Sequence, residues 1–330
     1  MMKFTCHLEM DGVRFGEVSG RDGSTLKTPL LSHPVDLSWQ LTTLELADLG
    51  VQCLKTNYMH ARLTALPTLA PGWSGPVVMT SGIVEAELAG ISMKWTPDHV
   101  DIKIPETGAW ETFTPSEGGE TAWISAVMQP PVLVTTSQTR RKSVLLVAAA
   151  WQRAPEEGRV PECCIQGDPA LLEKLIKQQD SPPGSVLWQA GADRQLRPTA
   201  LRWHAGIVDW KDFLIRLYEG ADILTVDFLH RYNQEGLILT AEAWQDITLP
   251  DSEFSQEPFA SDCECQSCQD FTRSYLHHLW SNTPLLAQRI LAIHNVFYLE
   301  RMIDSLRNAL ETGKFLSFTK QYPVVKRKSI

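Results

Sequence analysis

The sequence predicts an α/β protein, a (β/α)8 TIM barrel followed by a C-terminal subdomain built around a cysteine cluster. Short β-branched and apolar runs alternate with segments whose apolar residues recur at helical spacing, a pattern typical of parallel strands joined by helices. The chain has 330 residues. At this length a closed barrel fits better than an open sheet, although periodicity alone does not distinguish them. We expect the barrel over residues 1–248 and the second subdomain, with its helices, over residues 249–330.

Individual elements follow from local patterns. The predicted buried strands are the short apolar runs at 77–80, 132–135, 144–148, 186–188 and 223–226. The predicted helices lie at 41–49, 171–179, 210–218 and 285–310. The first of these helices is followed by Gly50, a favourable residue after a helix end.

The C-terminal subdomain contains the most informative motif of the chain. Cys263, Cys265 and Cys268 form a Cys-x-Cys-x2-Cys loop, and a helical pattern then leads to His294. Three thiolates and one imidazole make a closed tetrahedral set for Zn²⁺ and leave no position for an activated water. The sequence therefore predicts one structural zinc ion. The alternatives are a chance cluster of thiols and an iron–sulfur cluster, but the histidine favours zinc.

Composition indicates a soluble globular protein of a reducing compartment. The chain is 43% hydrophobic and 21% charged, and it has seven cysteines, an odd number. We find neither a secretory leader nor an apolar run long enough to span a membrane, so we expect a cytoplasmic protein. The net charge of −9 argues against extensive nucleic-acid coating. Local basic candidates are residues 140–142 and 326–328.

Around the metal motif the sequence resembles the tRNA-guanine transglycosylase family. The likeness consists of the cysteine loop, an Arg-x-Tyr-x-His-His-Leu segment beginning at Arg273, and the His294-Asn295 pair. A second likeness runs from Gly220 to Thr240, and weaker ones lie near Asn57, at His60 and at 79–82, whereas residues 100–200 diverge. The family fold is a TIM barrel with a zinc-binding insertion near its C-terminal end, so the resemblance implies the same architecture here.

The resemblance also places neutral residues where the family has two catalytic carboxylates. Thr225 stands at the nucleophile position and Thr80 at the general-base position. Base exchange needs a carboxylate to attack the ribose carbon and a second group to move protons. A threonine hydroxyl is a poor substitute for either group. The comparison therefore implies that this chain has no catalytic residue and no cofactor other than zinc.

Asp227, two residues after Thr225, is the alternative nucleophile. Positions two apart on a strand share a face, but they are about 6–7 Å apart along it. In-line attack tolerates a much smaller displacement. A diverged, active transglycosylase or nucleoside hydrolase that uses Asp227 is therefore kept as an alternative.

A retained metal motif without the carboxylates is most similar to the accessory subunit of the eukaryotic two-subunit queuine enzyme in this family. The resemblance implies that the chain is not an enzyme on its own. It would form a heterodimer with the catalytic paralogue that exchanges guanine for queuine at the tRNA wobble position. Contacts with tRNA would be made through the complex, with help from Arg327 and Lys328. The resemblance alone suggests peripheral association with the mitochondrial outer membrane. A zinc-containing binding module without such a partner is the remaining alternative.

Overall fold

The computed structural model describes most of the N-terminal third, isolated strands in the middle, and the C-terminal third of the chain. The described residues are 3–19, 25–34, 41–57, 72–73, 75, 77–80, 91–95, 99–105, 107–113, 132–134, 164–166, 185–187, 201–204 and 207–326. The predicted strand at 144–148, the predicted helix at 171–179, His60, and the basic residues 140–142 and 327–328 lie outside this part.

Sixteen strands occur in the described residues. They are β1 (Lys3–Met10), β2 (Val13–Ser19), β3 (Thr25–Thr28), β4 (Leu30–Pro34), β5 (Leu54–Asn57), β6 (Val77–Thr80), β7 (Met93–Trp95), β8 (Val100–Lys103), β9 (Trp110–Phe113), β10 (Val132–Val134), β11 (Cys164–Gln166), β12 (Ser185–Leu187), β13 (Leu201–His204), β14 (Ile223–Thr225), β15 (Leu237–Leu239) and β16 (Trp244–Asp246). Four of the predicted strands are thereby confirmed to within one residue at either end, those at 77–80, 132–135, 186–188 and 223–226.

The body of the protein is a parallel sheet of six strands in the order β12-β13-β14-β4-β5-β6. In this sheet β14 pairs with β4, so that Thr225 lies beside Ser32. A closed barrel requires a strand late in the chain to pair with the first parallel strand, as β14 does with β4. β10 and β11 form a further parallel pair, with β10 next to β6 and β11 next to β12. The predicted α/β class is confirmed. No hydrogen-bonded ladder joins these two sheets among the described strands, so closure into eight strands stays a prediction.

Seven α-helices occur in the described residues. They are α1 (Thr43–Asp48), α2 (Trp210–Tyr218), α3 (Phe228–Glu235), α4 (Gln266–Asp270), α5 (Arg273–Asn282), α6 (Pro284–Glu311) and α7 (Phe315–Gln321). The helices predicted at 41–49, 210–218 and 285–310 are confirmed as α1, α2 and α6. α1 is shorter because Thr42 caps it, accepting the N–H of Glu45, whose carboxylate in turn accepts the N–H of Thr42.

Helix α6 contributes many of the buried residues of the core. The helical spacing of the sequence predicts a core face of Ile290, Ile293, Phe297, Ile303 and Leu306. Ile290, Ile303 and Leu306 are buried, whereas Ile293 and Phe297 are partly buried. Glu300 of the same helix accepts a hydrogen bond from the buried His33 of β4 at 2.8 Å. Arg307 donates to the carbonyl of Pro29 at 2.7 Å. The helix is therefore attached to the first parallel strand at two points.

A buried ion pair attaches the N-terminal antiparallel sheet β1-β2-β3 to the start of β14. Arg14 Nη1 lies 2.9 Å from Asp222 Oδ2, and both side chains are almost fully buried. The backbone N–H of Arg202 donates to the same oxygen at 2.7 Å. Gly12 is required nearby, because a Cβ there would lie 2.1 Å from the carbonyl oxygen of Tyr218. Burial raises the pKa of Asp222 to about 7, and the Arg14 charge opposes that rise.

We expect Arg14→Met to lower the free energy of unfolding by about 3–5 kcal/mol at pH 8, because Asp222 would be buried without its cation. Loss of the cation raises the folded-state pKa of Asp222 further. An acid whose folded pKa is raised loses stability as pH rises, so the deficit should be smaller near pH 5, where Asp222 is protonated. Urea unfolding at the two pH values measures both effects.

Arg231→Met is the matched control for this prediction. Arg231 and Glu235 form an ion pair whose side chains are both more than half exposed, so its loss should change stability by less than about 1 kcal/mol. An Arg14→Met deficit that is equally large at both pH values would contradict the assignment.

Candidate metal centre and strand-end site

The four predicted ligands come together in the fold. The ligand atoms of Cys263, Cys265, Cys268 and His294 all lie within 4.8 Å of one another, and the four residues are buried. His294 Nδ1 lies 3.2 Å from Cys268 Sγ and 3.5 Å from Cys265 Sγ. Sulfur and nitrogen ligands of one tetrahedral zinc ion are about 3.5 Å apart. The cluster could therefore hold one metal ion.

The local sequence explains how the sulfurs converge. Cys265 is the N-terminal cap of α4, and its Sγ accepts the backbone N–H of Cys268 at 3.4 Å. One helical turn thus brings the third sulfur back beside the second. Hydrogen bonds from the Cys263 and Cys265 thiols hold the pKa of Cys268 well below its ordinary value. The pKa of Cys263 is raised because its thiol donates to these two neighbours. The lowered pKa favours a thiolate at Cys268, whose negative charge a divalent cation would neutralise.

The imidazole of His294 is oriented by the backbone of β15. Its Nε2 is 2.8 Å from the carbonyl oxygen of Leu239, so Nε2 carries the donated proton and Nδ1 faces the sulfurs. Burial lowers the pKa of His294, but hydrogen bonds with Cys265 and Cys268 outweigh it and raise the pKa to about 9. A backbone acceptor for the second ring nitrogen is the usual way in which proteins fix a histidine ligand.

Asn295 has a structural role that the sequence pattern did not reveal. Its Oδ1 accepts the N–H of Leu239 at 2.9 Å. Its Nδ2 donates to the carbonyl of Leu237 and to Asn233 Oδ1 of α3, both at 2.8 Å. Together with His294 it binds α6 to β15 in the way that a neighbouring strand would. Its position next to the metal ligand His294 was the feature of the sequence that could have indicated this structural role.

The remaining motif residues hold the segment around the metal cluster. Arg273 Nε donates to the carbonyl of Pro258 at 2.9 Å, and its Nη2 donates to that of Phe259 at 3.1 Å. His277 Nδ1 is 2.7 Å from the carbonyl oxygen of Ile247. These contacts fix the chain that leads into Cys263. The motif Arg-x-Tyr-x-His-His-Leu is therefore a structural support for the metal loop.

Thr225 lies fully buried at the end of β14. Its Oγ1 accepts the indole N–H of Trp203 at 2.9 Å and shares a second hydrogen bond, also 2.9 Å, with Ser32 Oγ. The hydroxyl thus has two partners from the neighbouring strands. Thr80 is paired with Asn57 in the ladder between β5 and β6, and its side chain lies outside the described part.

Asp227 follows β14 and begins α3. Its carboxylate makes no capping hydrogen bond to its own helix. Instead, Oδ1 lies 3.6 Å from Nζ of Lys55, whose side chain is 6% exposed, whereas that of Asp227 is 33% exposed. This pair lies at the carboxyl ends of parallel strands, where α/β barrels bind their substrates. Lys55 could not be identified from the sequence, because its contact with Asp227 depends on the spatial order of the strands.

Comparison with known proteins decides the family. The family model "TGT: Queuine tRNA-ribosyltransferase" matches residues 189–326. The queuine tRNA-ribosyltransferase of Francisella tularensis subsp. novicida is 31% identical over 364 residues, which cover 98% of this chain and 98% of the relative. This chain belongs to the queuine tRNA-ribosyltransferase family. The protein of that name from Chromobacterium violaceum is 24% identical over 384 residues and covers both chains completely.

Membership in the queuine tRNA-ribosyltransferase family confirms the resemblance inferred from the motifs and corrects one expectation. The prediction that the chain is not an enzyme on its own is wrong, because a relative that matches 98% of it is named as a ribosyltransferase, which is an enzyme. That prediction rested on single positions such as Thr225, whereas the similarity extends over the whole scaffold.

Within the described residues, no helix is long and apolar enough to cross a membrane. The cytoplasmic location and the association with the mitochondrial outer membrane both stay predictions of the sequence analysis.

We expect the purified protein to contain about one zinc ion per chain and Cys268→Ser to lose it, because three remaining ligands hold zinc less tightly than four. Removal of zinc by a chelator should lower the unfolding temperature of the wild type, since metal binding contributes directly to folding. Elemental analysis by mass spectrometry and thermal unfolding measure the two effects. Cys6→Ser, at a half-buried cysteine outside the cluster, should keep its zinc. Full zinc content in Cys268→Ser would contradict the assignment.

Proposed function

We propose that the protein takes part in tRNA-guanine transglycosylation as one subunit of a heterodimeric enzyme. The other subunit is a paralogue that carries the attacking carboxylate of the family, and the reaction replaces guanine by queuine at the wobble position of tRNA. Within this enzyme we assign the chain the accessory role, so that it works as part of an enzyme. It contributes a metal-stabilised pairing surface and part of the contact with tRNA.

The observation that carries the proposal is the environment of Thr225. The resemblance assigns the family's nucleophile to this position, and here a neutral hydroxyl is fully buried and held by Trp203 and Ser32. A hydroxyl has no charge with which to stabilise an oxocarbenium-like carbon, and both of its hydrogen bonds stay within the protein. Attack from this position would require breaking them. The geometry therefore favours a partner as the source of the carboxylate.

The metal cluster supports the pairing role. In the proposal one zinc ion is bound by Cys263, Cys265, Cys268 and His294, and its role is to cross-link the loop to α6. With four protein ligands the ion has no open position for substrate or water. Its contribution is to keep the surface around α5 in one shape, which is what a stable interface requires.

An exposed aromatic patch lies next to this cluster. Phe254 is 81% exposed and Tyr275 is 43% exposed, and Tyr275 stacks on Phe271 with 5.3 Å between ring centroids. Ser274 donates its backbone N–H to the carbonyl of Ser255 at 2.9 Å, which brings Phe254 beside the start of α5. Exposed aromatic side chains that cluster in this way are typical of protein interfaces. We assign this patch, Phe254, Phe271 and Tyr275, to the paralogue.

A reconstitution experiment tests the proposal. Exchange of labelled guanine in tRNA is measured with each chain separately and with the mixture. We expect the rate of the mixture to exceed the sum of the separate rates by at least about tenfold, and we expect the covalent RNA intermediate to form on the paralogue. A mixture no faster than that sum would contradict the heterodimer and would favour a zinc-containing binding module. A covalent intermediate on this chain would contradict the accessory role.

The contact between Lys55 and Asp227 favours a second candidate function. In that reading the protein is a diverged transglycosylase whose nucleophile is Asp227, with the Lys55 ammonium keeping the carboxylate ionised. The partly exposed carboxylate at the strand ends is the specific support for it.

Asp227→Asn separates the two candidates, because it removes the charge and keeps the shape of the side chain. The accessory role predicts an exchange rate of the heterodimer within about twofold of wild type, since the nucleophile belongs to the partner. A loss of about a thousandfold or more would instead identify Asp227 as the nucleophile. Asp48→Asn, at an exposed position in the last turn of α1, is the matched control and should leave the rate unchanged.

Removing the aromatic patch should weaken pairing. We expect Phe254→Ala and Tyr275→Ala each to raise the dissociation constant of the heterodimer by about tenfold, since buried aromatic anchors contribute about 1–2 kcal/mol or more at interfaces. Titration calorimetry with the paralogue measures this change. Leu316→Ala is the control, because Leu316 is 78% exposed on α7, away from the patch. Unchanged affinity in both aromatic variants would exclude the patch as the interface.

A further inference from the structure

The antiparallel sheet of β7, β8 and β9 has two chemically different faces. Its order is β7-β8-β9, and the side chains of Ile102 and Ile104 on the inner face are 0% and 5% exposed. On the outer face Lys103 is directly opposite Trp110, and Lys94 is opposite Asp101. Because side chains alternate along a strand, Lys94, Lys103 and Trp110 share this outer face, and all three are exposed. We call these three residues the outer-face cluster.

Trp110 is at the centre of the outer-face cluster. Its side chain is 42% exposed, although tryptophan has a large apolar surface that is usually buried. The Lys94 ammonium lies over one side of the indole, 4.0 Å from the ring centroid, in the geometry of a cation–π contact. The Lys94 contact occupies one side of the indole, and the exposed part of the ring offers a surface for a planar ligand.

The outer face is locally positive on an acidic protein. The chain has a net charge of −9, yet in the described part of the chain no carboxylate forms an ion pair with Lys94 or Lys103. The acidic residue on this face, Asp101, accepts the hydroxyl of Thr112 at 2.7 Å and lies 3.6 Å from His99 Nε2. Its charge is therefore engaged within the sheet, whereas Lys94 and Lys103 are both exposed.

We propose that the outer face of β7–β9 is a stacking platform for single-stranded RNA. One base stacks on the open side of Trp110, while Lys94 and Lys103 contact the phosphates on either side. An exposed aromatic ring flanked by cations on an antiparallel sheet is the combination by which proteins bind single strands without strict sequence preference. The inference goes beyond the heterodimer, because the platform acts in this chain without the paralogue.

Binding of a labelled oligouridine to the isolated full-length protein, followed by fluorescence anisotropy, tests this platform. Trp110→Ala should weaken binding by about 5-fold to 150-fold, which corresponds to the loss of one stacked base. Trp110→Phe should retain most of the affinity, since a smaller ring still stacks. Lys94→Ala and Lys103→Ala should each reduce the salt dependence of binding by about 0.7 in the logarithmic slope.

Lys211→Ala is the matched control, an exposed lysine on α2 that should leave affinity and slope unchanged. Circular dichroism and thermal unfolding establish that the Trp110 variants are folded. Wild-type affinity in Trp110→Ala would overturn the proposal, and so would equally tight binding of a blunt RNA duplex.

A further overturning result is a Trp110→Ala variant that binds oligouridine normally but pairs poorly with the paralogue, because the face would then be a protein interface. Oligouridine binding is measured separately from heterodimer formation and guanine exchange, which test the proposed function. Phe254→Ala should bind oligouridine like wild type even if no heterodimer forms.

Discussion

The imidazole of His294 is the contact on which the C-terminal half of the molecule depends. One ring nitrogen faces the sulfurs of Cys265 and Cys268, and the other is hydrogen-bonded to the backbone of Leu239. The same side chain therefore joins three segments that are far apart in sequence, the cysteine loop, α6 and β15. Asn295 extends the junction to α3. Without a metal ion, clustered thiols and a buried histidine would be costly to fold together, and with one they become a cross-link.

This cross-link matters beyond the metal loop because α6 also contacts the parallel sheet. Glu300 is hydrogen-bonded to His33, and Arg307 to the carbonyl of Pro29, so both ends of β4 are tied to the helix. β4 in turn flanks β14, where Thr225 is buried. A single helix thus relates the metal cluster to the strand ends. The positions of the strand ends therefore depend on the same helix that carries His294.

Local chemistry was predictable from the sequence, and contacts between distant segments were not. The spacing of the cysteines and the position of His294 on a helical face were enough to predict the ligand set, and the apolar spacing of α6 predicted part of its buried face. The ion pair of Arg14 with Asp222 and the contact of Lys55 with Asp227 depend on strand order, which periodicity does not encode. The prediction that the chain is not an enzyme on its own was wrong because it relied on two neutral side chains, Thr225 and Thr80. The likeness to a ribosyltransferase extends over 98% of the chain.

The central claim is that Cys263, Cys265, Cys268 and His294 enclose one zinc ion completely. X-ray absorption at the zinc edge of the purified protein tests it most directly, because it counts the ligand atoms and gives their distances. The account predicts three sulfurs at about 2.3 Å and one nitrogen at about 2.0–2.1 Å. A shell that contains an oxygen from water, or fewer than three sulfurs, would contradict it.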